Sequence, residues 1–248
     1  MMRIVAYIAL GLLAYAGFLV ASFPAERAFV LLGQQVPNLR VAGLSGTAWS
    51  GRADVLQLQD HKLEKLRWQL KPWSVLLGEL DLDIELDSVD VAGNASIALS
   101  PDGGIELSDV DLRLAAAEMA TLLRIPVGLG GQFIVQLQSA QLMGQSILSA
   151  EGMIRWQRAA VTTPFVQPLG EFVAQLSTED ESVKAIVKDE GGPLQLDGVA
   201  NLKSDGAYDF AGSVSVRDSQ QQLLVKGVMA MGRPGTDGRV PLRYSGRL

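Results

Sequence analysis

Cysteine is absent from the chain and histidine occurs once in 248 residues. The first absence removes disulfides, thiolate metal sites and cysteine nucleophiles together. The second means that no histidine triad or multi-histidine metal site can be built within one chain. Flanked by Asp60 and Lys62, His61 reads as an exposed surface residue. Gly43-Leu44-Ser45-Gly46 lacks the spacing of a G-x-S-x-G nucleophile elbow, and no phosphate loop or dinucleotide fingerprint occurs. Basic residues are outnumbered, 21 against 27 acidic, for a net charge of −6. They form no cluster dense enough to follow a phosphate backbone, so nucleic acid is not an expected partner. Aromatic residues make up 6% of the chain, which leaves Leu, Val, Ile and Ala to fill a core. No catalytic, cofactor-binding or metal-binding residue is expected, and the chain does not read as an enzyme.

What is present begins with an uncharged run from Ile4 to Phe23, preceded only by Arg3 and the terminal amine. Its length suits a single helix crossing a bilayer core. A cleaved signal peptide is the rival, because Ala14-Tyr15-Ala16 fits the small-x-small cleavage pattern, but the apolar run continues past it through Gly17 to Phe23. We therefore expect an uncleaved anchor with the N-terminus in the cytoplasm and the bulk of the chain outside. Pro24 suits a first helical position, so Ala25 to Gln35 is expected to form a helical linker ended by Pro37. Ala115 to Leu123 is a second helical stretch.

The remainder alternates. In Leu80-Asp81-Leu82-Asp83-Ile84-Glu85-Leu86-Asp87 every second residue is apolar and the others are acidic, which is the period of a half-buried strand. The pattern recurs in Leu66 to Leu70, Val110 to Leu114, Phe133 to Gln138 and Val240 to Tyr244. Pro241 cannot donate a ladder hydrogen bond and places the last of these at an edge or a strand start. Turn sequences at 101–104, 190–193, 204–206 and 234–238 separate the strands. The acidic row Asp81, Asp83, Glu85 and Asp87 shares one strand face and reads as solvated, with calcium or a basic partner as the alternative.

Two segments resemble one another. Leu66-Arg67-Trp68-Gln69, Pro72 and Leu77-Gly78-Glu79-Leu80 are echoed by Ile154-Arg155-Trp156-Gln157, Pro164, Pro168 and Leu169-Gly170-Glu171-Phe172. The arginines are 155 − 67 = 88 residues apart and the two L-G-E segments 169 − 77 = 92. This offset suggests an internal duplication. The expected fold is mainly β: one N-terminal transmembrane helix, then a large curved, mostly antiparallel sheet. The expected division is 1–23 anchor, 24–40 helical linker and 41–248 β domain, with repeat units of about 41–140 and 141–248.

Leu44-Ser45-Gly46-Thr47-Ala48-Trp49-Ser50-Gly51-Arg52-Ala53 stands upstream of the Trp68 strand, Pro72 and the Leu77-Gly78 turn, and the chain closes on Tyr244-Ser245-Gly246. In this order, behind an N-terminal apolar helix, these segments resemble the type II secretion system protein N family of Gram-negative bacteria. Ala48 sits where a β-branched residue would be usual. The resemblance marks Gly46, Thr47, Trp49, Gly51, Trp68, Pro72, Gly78, Tyr244 and Gly246 as family positions of structural character, and Trp49 and Trp68 as core residues. It implies an accessory, non-catalytic scaffold in the machinery that exports folded proteins across the outer membrane. The chain would then be anchored once in the inner membrane with its C-terminal domain in the periplasm, and other type II secretion components would be its partners. The family is also similar in fold to AsmA-like membrane-anchored proteins. The alternative is accordingly a periplasmic lipid- or acyl-chain-binding protein with an apolar groove, because strand periodicity is the same for a filled core and an open groove.

Overall fold

A computed structural model describes residues 2–33, 39–58, 61–122, 125–144, 146–163, 165–180 and 182–247. The chain divides into two compact units, Met1–Val89 and Asp90–Leu248. Both are built mainly from antiparallel strands.

The first unit opens with α1 (Met2–Ala21) and α2 (Ala25–Gly33). Among the described residues no helix is long and apolar enough to cross a membrane. The side chains at 2–6, 8, 9, 13, 14 and 16 of α1 lie outside that description. Pro37, expected to end the linker helix, also lies outside the described residues. The strands β1 (Leu39–Ala42), β2 (Ser45–Gly46), β3 (Ser50–Leu58) and β4 (His61–Leu70) follow, then the short helix α3 (Pro72–Leu76) and β5 (Leu80–Asp87). β3 pairs with β1, β2 and β4, and β4 with β5. The alternation of Leu80 to Asp87 thus becomes one complete strand. Ala25, Ala53 and Trp68 form the buried centre, and Phe29, Val41, Leu44, Leu66, Leu82 and Ile84 pack around it. Small residues at 25 and 53 let α2 lie close on the sheet, where the Phe29 ring meets the Trp68 indole at 5.3 Å.

The acidic row of β5 faces a basic one. Arg67 pairs with Glu85 at 3.3 Å, Lys65 with Asp87 at 2.8 Å and Lys71 with Asp83 at 3.9 Å. Cross-strand pairs of opposite charge are the sheet counterpart of helical i,i+4 pairs. Lys65 and its partner hold each other ionised: the Lys65 ammonium beside Asp87 lowers that carboxyl's pKa, and the carboxylate raises that of Lys65.

The second unit is a meander in which each strand pairs with its sequence neighbour. It runs β6 (Val91–Leu99), β7 (Gly104–Ala115), α4 (Ala116–Leu122), β8 (Leu129–Met143), β9 (Ser146–Val161), β10 (Gln167–Glu179), β11 (Ser182–Gly191), β12 (Leu194–Lys203), β13 (Ala207–Val216), α5 (Gln222–Met231) and β14 (Val240–Arg247). Pro241 lies in β14 and pairs with Ser213 of β13. Of the four turn sequences, 204–206 joins β12 to β13, 101–104 and 190–193 join strands while overlapping their ends, and 234–238 joins α5 to β14. α4 packs on β7 and β8 through Ala116 and Ala120, which are buried one turn apart. α5, unmarked by any strong sequence signal, packs on β13 and β14 with Leu224 and Val228 buried, Val228 among Val214, Val240 and Leu242.

The middle of this unit has its own core. Ala140, Ala150 and Val183 are buried with Leu107, Leu137, Leu142, Ile147, Leu176 and Leu202 around them. Cα atoms of β9 come within 8 Å of both β11 and β12. In a flat sheet those strands would lie roughly 10 and 14 Å away. The sheet is therefore rolled over its own leucines, and the alanines permit the close approach.

Candidate functional site

Most of the residues singled out in the first unit converge where α1 meets the first sheet. The last four carbonyls of any helix lack intrahelical donors. Here Ser22 supplies both its N–H and its hydroxyl to the Phe18 carbonyl, at 2.9 and 2.7 Å. The Trp49 indole Nε1 donates to the Val20 carbonyl at 2.7 Å, and the Ala48 N–H donates to that of Phe23 at 2.8 Å. Pro24 forms an isolated antiparallel bridge with Thr47. The end of the helix is thus clasped by three consecutive residues, Thr47, Ala48 and Trp49.

Thr47 shapes the clasp. Its N–H donates to the Ser50 carbonyl at 2.8 Å, and the Ser50 N–H returns a bond to Thr47 Oγ1 at 3.1 Å. Gly46 precedes it at φ +96°, and a Cβ there would stand 2.5 Å from the Ser50 carbonyl, so only glycine fits. Gly51 faces Trp68 across the β3–β4 pair. A side chain at 51 would meet the indole of Trp68 and, at 2.6 Å, the Ser45 carbonyl. Trp68 uses the space to donate from Nε1 to the Ala48 carbonyl at 3.2 Å. Ala48 takes part through its backbone at both ends, so its departure from a β-branched residue leaves the clasp intact.

Trp68 is 8% exposed and is a core residue as expected. Trp49 differs from the expectation: it is half-buried and lies against the helix end. Its β3-flanking position gave no sequence signal for a partner 29 residues upstream.

Pro72 is the first residue of α3, and Lys71 before it is extended. Ser74, which sequence reasoning passed over, is buried. Its hydroxyl donates to the Lys71 carbonyl at 2.8 Å and accepts from the Asp81 N–H at 3.1 Å. Gly78, at φ +86°, ends the turn. β4 is tied to the clasp by the Leu70 N–H, which donates to the Trp49 carbonyl at 2.6 Å. Tyr244 and Gly246 are not part of this assembly. They belong to β14 in the second unit, opposite Phe210 and Tyr208, and a side chain at 246 would collide with the Tyr208 hydroxyl at 2.6 Å. The His61 side chain lies outside the described residues.

Trp156 in the second unit repeats part of this geometry. It lies on β9 between Phe133 of β8 and Phe172 of β10, with ring centroids 5.2 and 5.9 Å away. Its Nε1 donates to the Gly130 carbonyl at 3.0 Å. Gly130 stands three positions ahead of Phe133, the cross-strand partner of Trp156, as Ala48 stands three ahead of Gly51, the partner of Trp68. The L-G-E segments do not correspond: Gly78 sits in a turn, whereas Gly170 sits at an irregularity inside β10. Their offset of 92 rather than 88 reflects this difference.

One concavity of the second unit, about 710 Å³, is lined by Asp109, Asp111, Glu151, Gln136, Gln138 and Gln175 among others. Among the described residues no group of His, Asp or Glu is placed to hold a metal ion. The chemistry of the clasp is hydrogen bonding and packing, and its work is to fix a helix to a sheet.

Residues 37–243 match the family model described as type II secretion system (T2SS), protein N. The chain is 28% identical over 246 residues to the type II secretion system protein N of Aeromonas hydrophila, covering 97% of each. It is 25% identical to the protein of the same name from Vibrio cholerae serotype O1, over 85% of this chain and 86% of that one. The Klebsiella pneumoniae protein of that name is also 25% identical, over 94% and 91%. No solved structure matches.

Proposed function

We propose, from the premise that the chain belongs to the type II secretion system protein N family, that it is an accessory, non-catalytic scaffold of the secretion machinery, anchored once in the inner membrane with its β domain in the periplasm. The observation that carries this reading is the clasp. Its residues direct their hydrogen bonds to the end of α1 and to each other, leaving a rigid joint rather than an open site. α1 has 20 residues, about 30 Å at 1.5 Å per residue. Tyr7, Leu10, Leu12, Tyr15, Phe18, Leu19 and Val20 are all at least half exposed and point in every direction round its axis. A helix apolar on all sides needs an apolar solvent.

The division into anchor 1–23, linker 24–40 and β domain 41–248 follows from this reading. The matching Trp68 and Trp156 hairpins support an internal duplication. The rolled core of the second unit and the carboxylates in its concavity favour a scaffold over a carrier of acyl chains, since a buried carboxylate is costly beside lipid tails. Other secretion components are the partners to expect.

Photo-reactive residues placed in cells test this. At exposed Leu223, Phe165 and Tyr244 they should capture another type II secretion component, and a C-terminal reporter should be active in the periplasm. Capture of phospholipid at Met153 or Leu176, inside the concavity, would establish the lipid carrier instead. A reporter active only in the cytoplasm would overturn the topology.

A further inference from the structure

α3 and the residue that caps it hold two large apolar side chains away from the protein. Trp73 is 78% exposed and Leu77 is 80% exposed. They are four positions apart, and Leu77, which caps α3, keeps a right-handed helical backbone, so the two lie on one side of the turn. The turn beneath them is firmly built: Ser74 is buried with its hydroxyl bonded on both sides, the Lys71 N–H donates to the Asp81 carbonyl at 2.9 Å, and the Glu79 N–H donates to the Ser74 carbonyl at 2.9 Å. Such anchoring keeps Trp73 and Leu77 presented outward, where water offers them nothing.

The position of the turn identifies what does. α3 begins two residues after Leu70, whose N–H is bonded to the Trp49 carbonyl, and Trp49 is itself bonded to Val20 in the last turn of α1. Three residues of chain reach at most about 11 Å, so Trp73 stays within that distance of Leu70. The exposed pair thus stands at the end of the sheet from which α1 departs. Tryptophan, with an apolar body and a polar N–H, is the side chain best suited to the boundary between headgroups and hydrocarbon. The flanking charges, Lys71 before the pair and Glu79 after it, fit residence at the boundary rather than within the core.

We infer that Trp73 and Leu77 insert into the leaflet from which α1 emerges, giving the first unit a second membrane contact beside its anchor. This rests on the reading of α1 as the anchor. Two contacts fix the tilt of the sheet against the bilayer, which one helix does not.

The absence of cysteine makes a direct test simple. Trp73→Cys, Leu77→Cys, Leu12→Cys and Lys62→Cys would each be spin-labelled in the full chain, in nanodiscs of phosphatidylethanolamine and phosphatidylglycerol. Collision with oxygen, which favours lipid, is then compared with collision with a water-soluble nickel chelate. Labels at 73 and 77 should read between the hydrocarbon value of 12 and the aqueous value of 62. If 73 and 77 match 62 while 12 reads hydrocarbon, the inference falls and the anchor stands. If 12 also reads aqueous, the anchor reading fails and takes the inference with it. Labels at 73 and 77 shielded from both reagents would mean contact with protein, which also overturns it.

Discussion

Trp49 donates its indole N–H to the carbonyl of Val20 at 2.7 Å, joining the first turn before β3 to the last turn of α1. The bond is made by a half-buried side chain to a carbonyl in the last turn of α1 that also accepts the Phe23 N–H, at the longer distance of 3.2 Å. Removing the donor while keeping the ring separates hydrogen bonding from packing.

Trp49→Phe should therefore weaken the joint by about 0.5–1.5 kcal/mol without unfolding the sheet. In lipid nanodiscs, trypsin cleavage after the exposed Arg27 should accelerate in the variant, because opening of the clasp frees the segment between α1 and β1. Equal cleavage rates would show that the bond does not hold the joint.

Gly51→Ala tests the space above Trp68. The new methyl group would press on the indole and the Ser45 carbonyl, and the expected cost is about 1–3 kcal/mol. Thermal unfolding of the Ala variant should fall accordingly. A variant as stable as the parent would mean that Trp68 can move aside freely.

Trp68→Ala and Trp156→Ala should each destabilise by about 3–5 kcal/mol. The matching Phe variants should lose only the indole bond, about 1 kcal/mol. Denaturant titrations that show a large loss at one tryptophan and none at the other would undo the equivalence of the two hairpins.

Much of the strand layout was legible because the segments alternate cleanly and several are separated by glycine- or proline-containing turns. Leu80 to Asp87 coincides with β5, but of the basic partners of its acidic row only Arg67 stood in the alternating segment read before it, while Lys65 and Lys71 lie just outside that segment. The helix α5 was not legible: its buried Leu224 and Val228 matter only because β13 and β14 lie beneath them. The clasp was half legible. Its glycines and tryptophans stood out, but a bond from Trp49 to Val20 depends on where a distant helix ends, which no local pattern encodes. Ser74 was missed because a single serine after proline says nothing about burial until both its neighbours in space are known.

Asp189 on β11 offers a pH test in the second unit. Burial pushes its pKa up, but hydrogen bonds from Arg217 and from the N–H groups of Leu196 and Gly191, with the charge of Arg217, together hold it below the ordinary aspartate value. A carboxyl lowered in the folded state stabilises the fold above its unfolded pKa of about 3.9, and that contribution is lost as pH falls through the folded value. Asp189→Asn should thus lower the urea midpoint at pH 7, and the gap to the parent should shrink below about pH 4. A gap that stays constant with pH would remove the ionised carboxylate from the account.

The neighbour-to-neighbour pairing of β6 to β14 bears on how the chain is made. Proteins are synthesised from the N-terminus at roughly 5–20 residues per second, so every strand of the second unit after β6 meets its predecessor already in place when it arrives. None of β7 to β14 has to wait for a later one to supply its first partner. Contacts of short sequence separation also close quickly. Assembly can then advance hairpin by hairpin in the order of synthesis, with one growing edge exposed at a time rather than many unpaired strands at once.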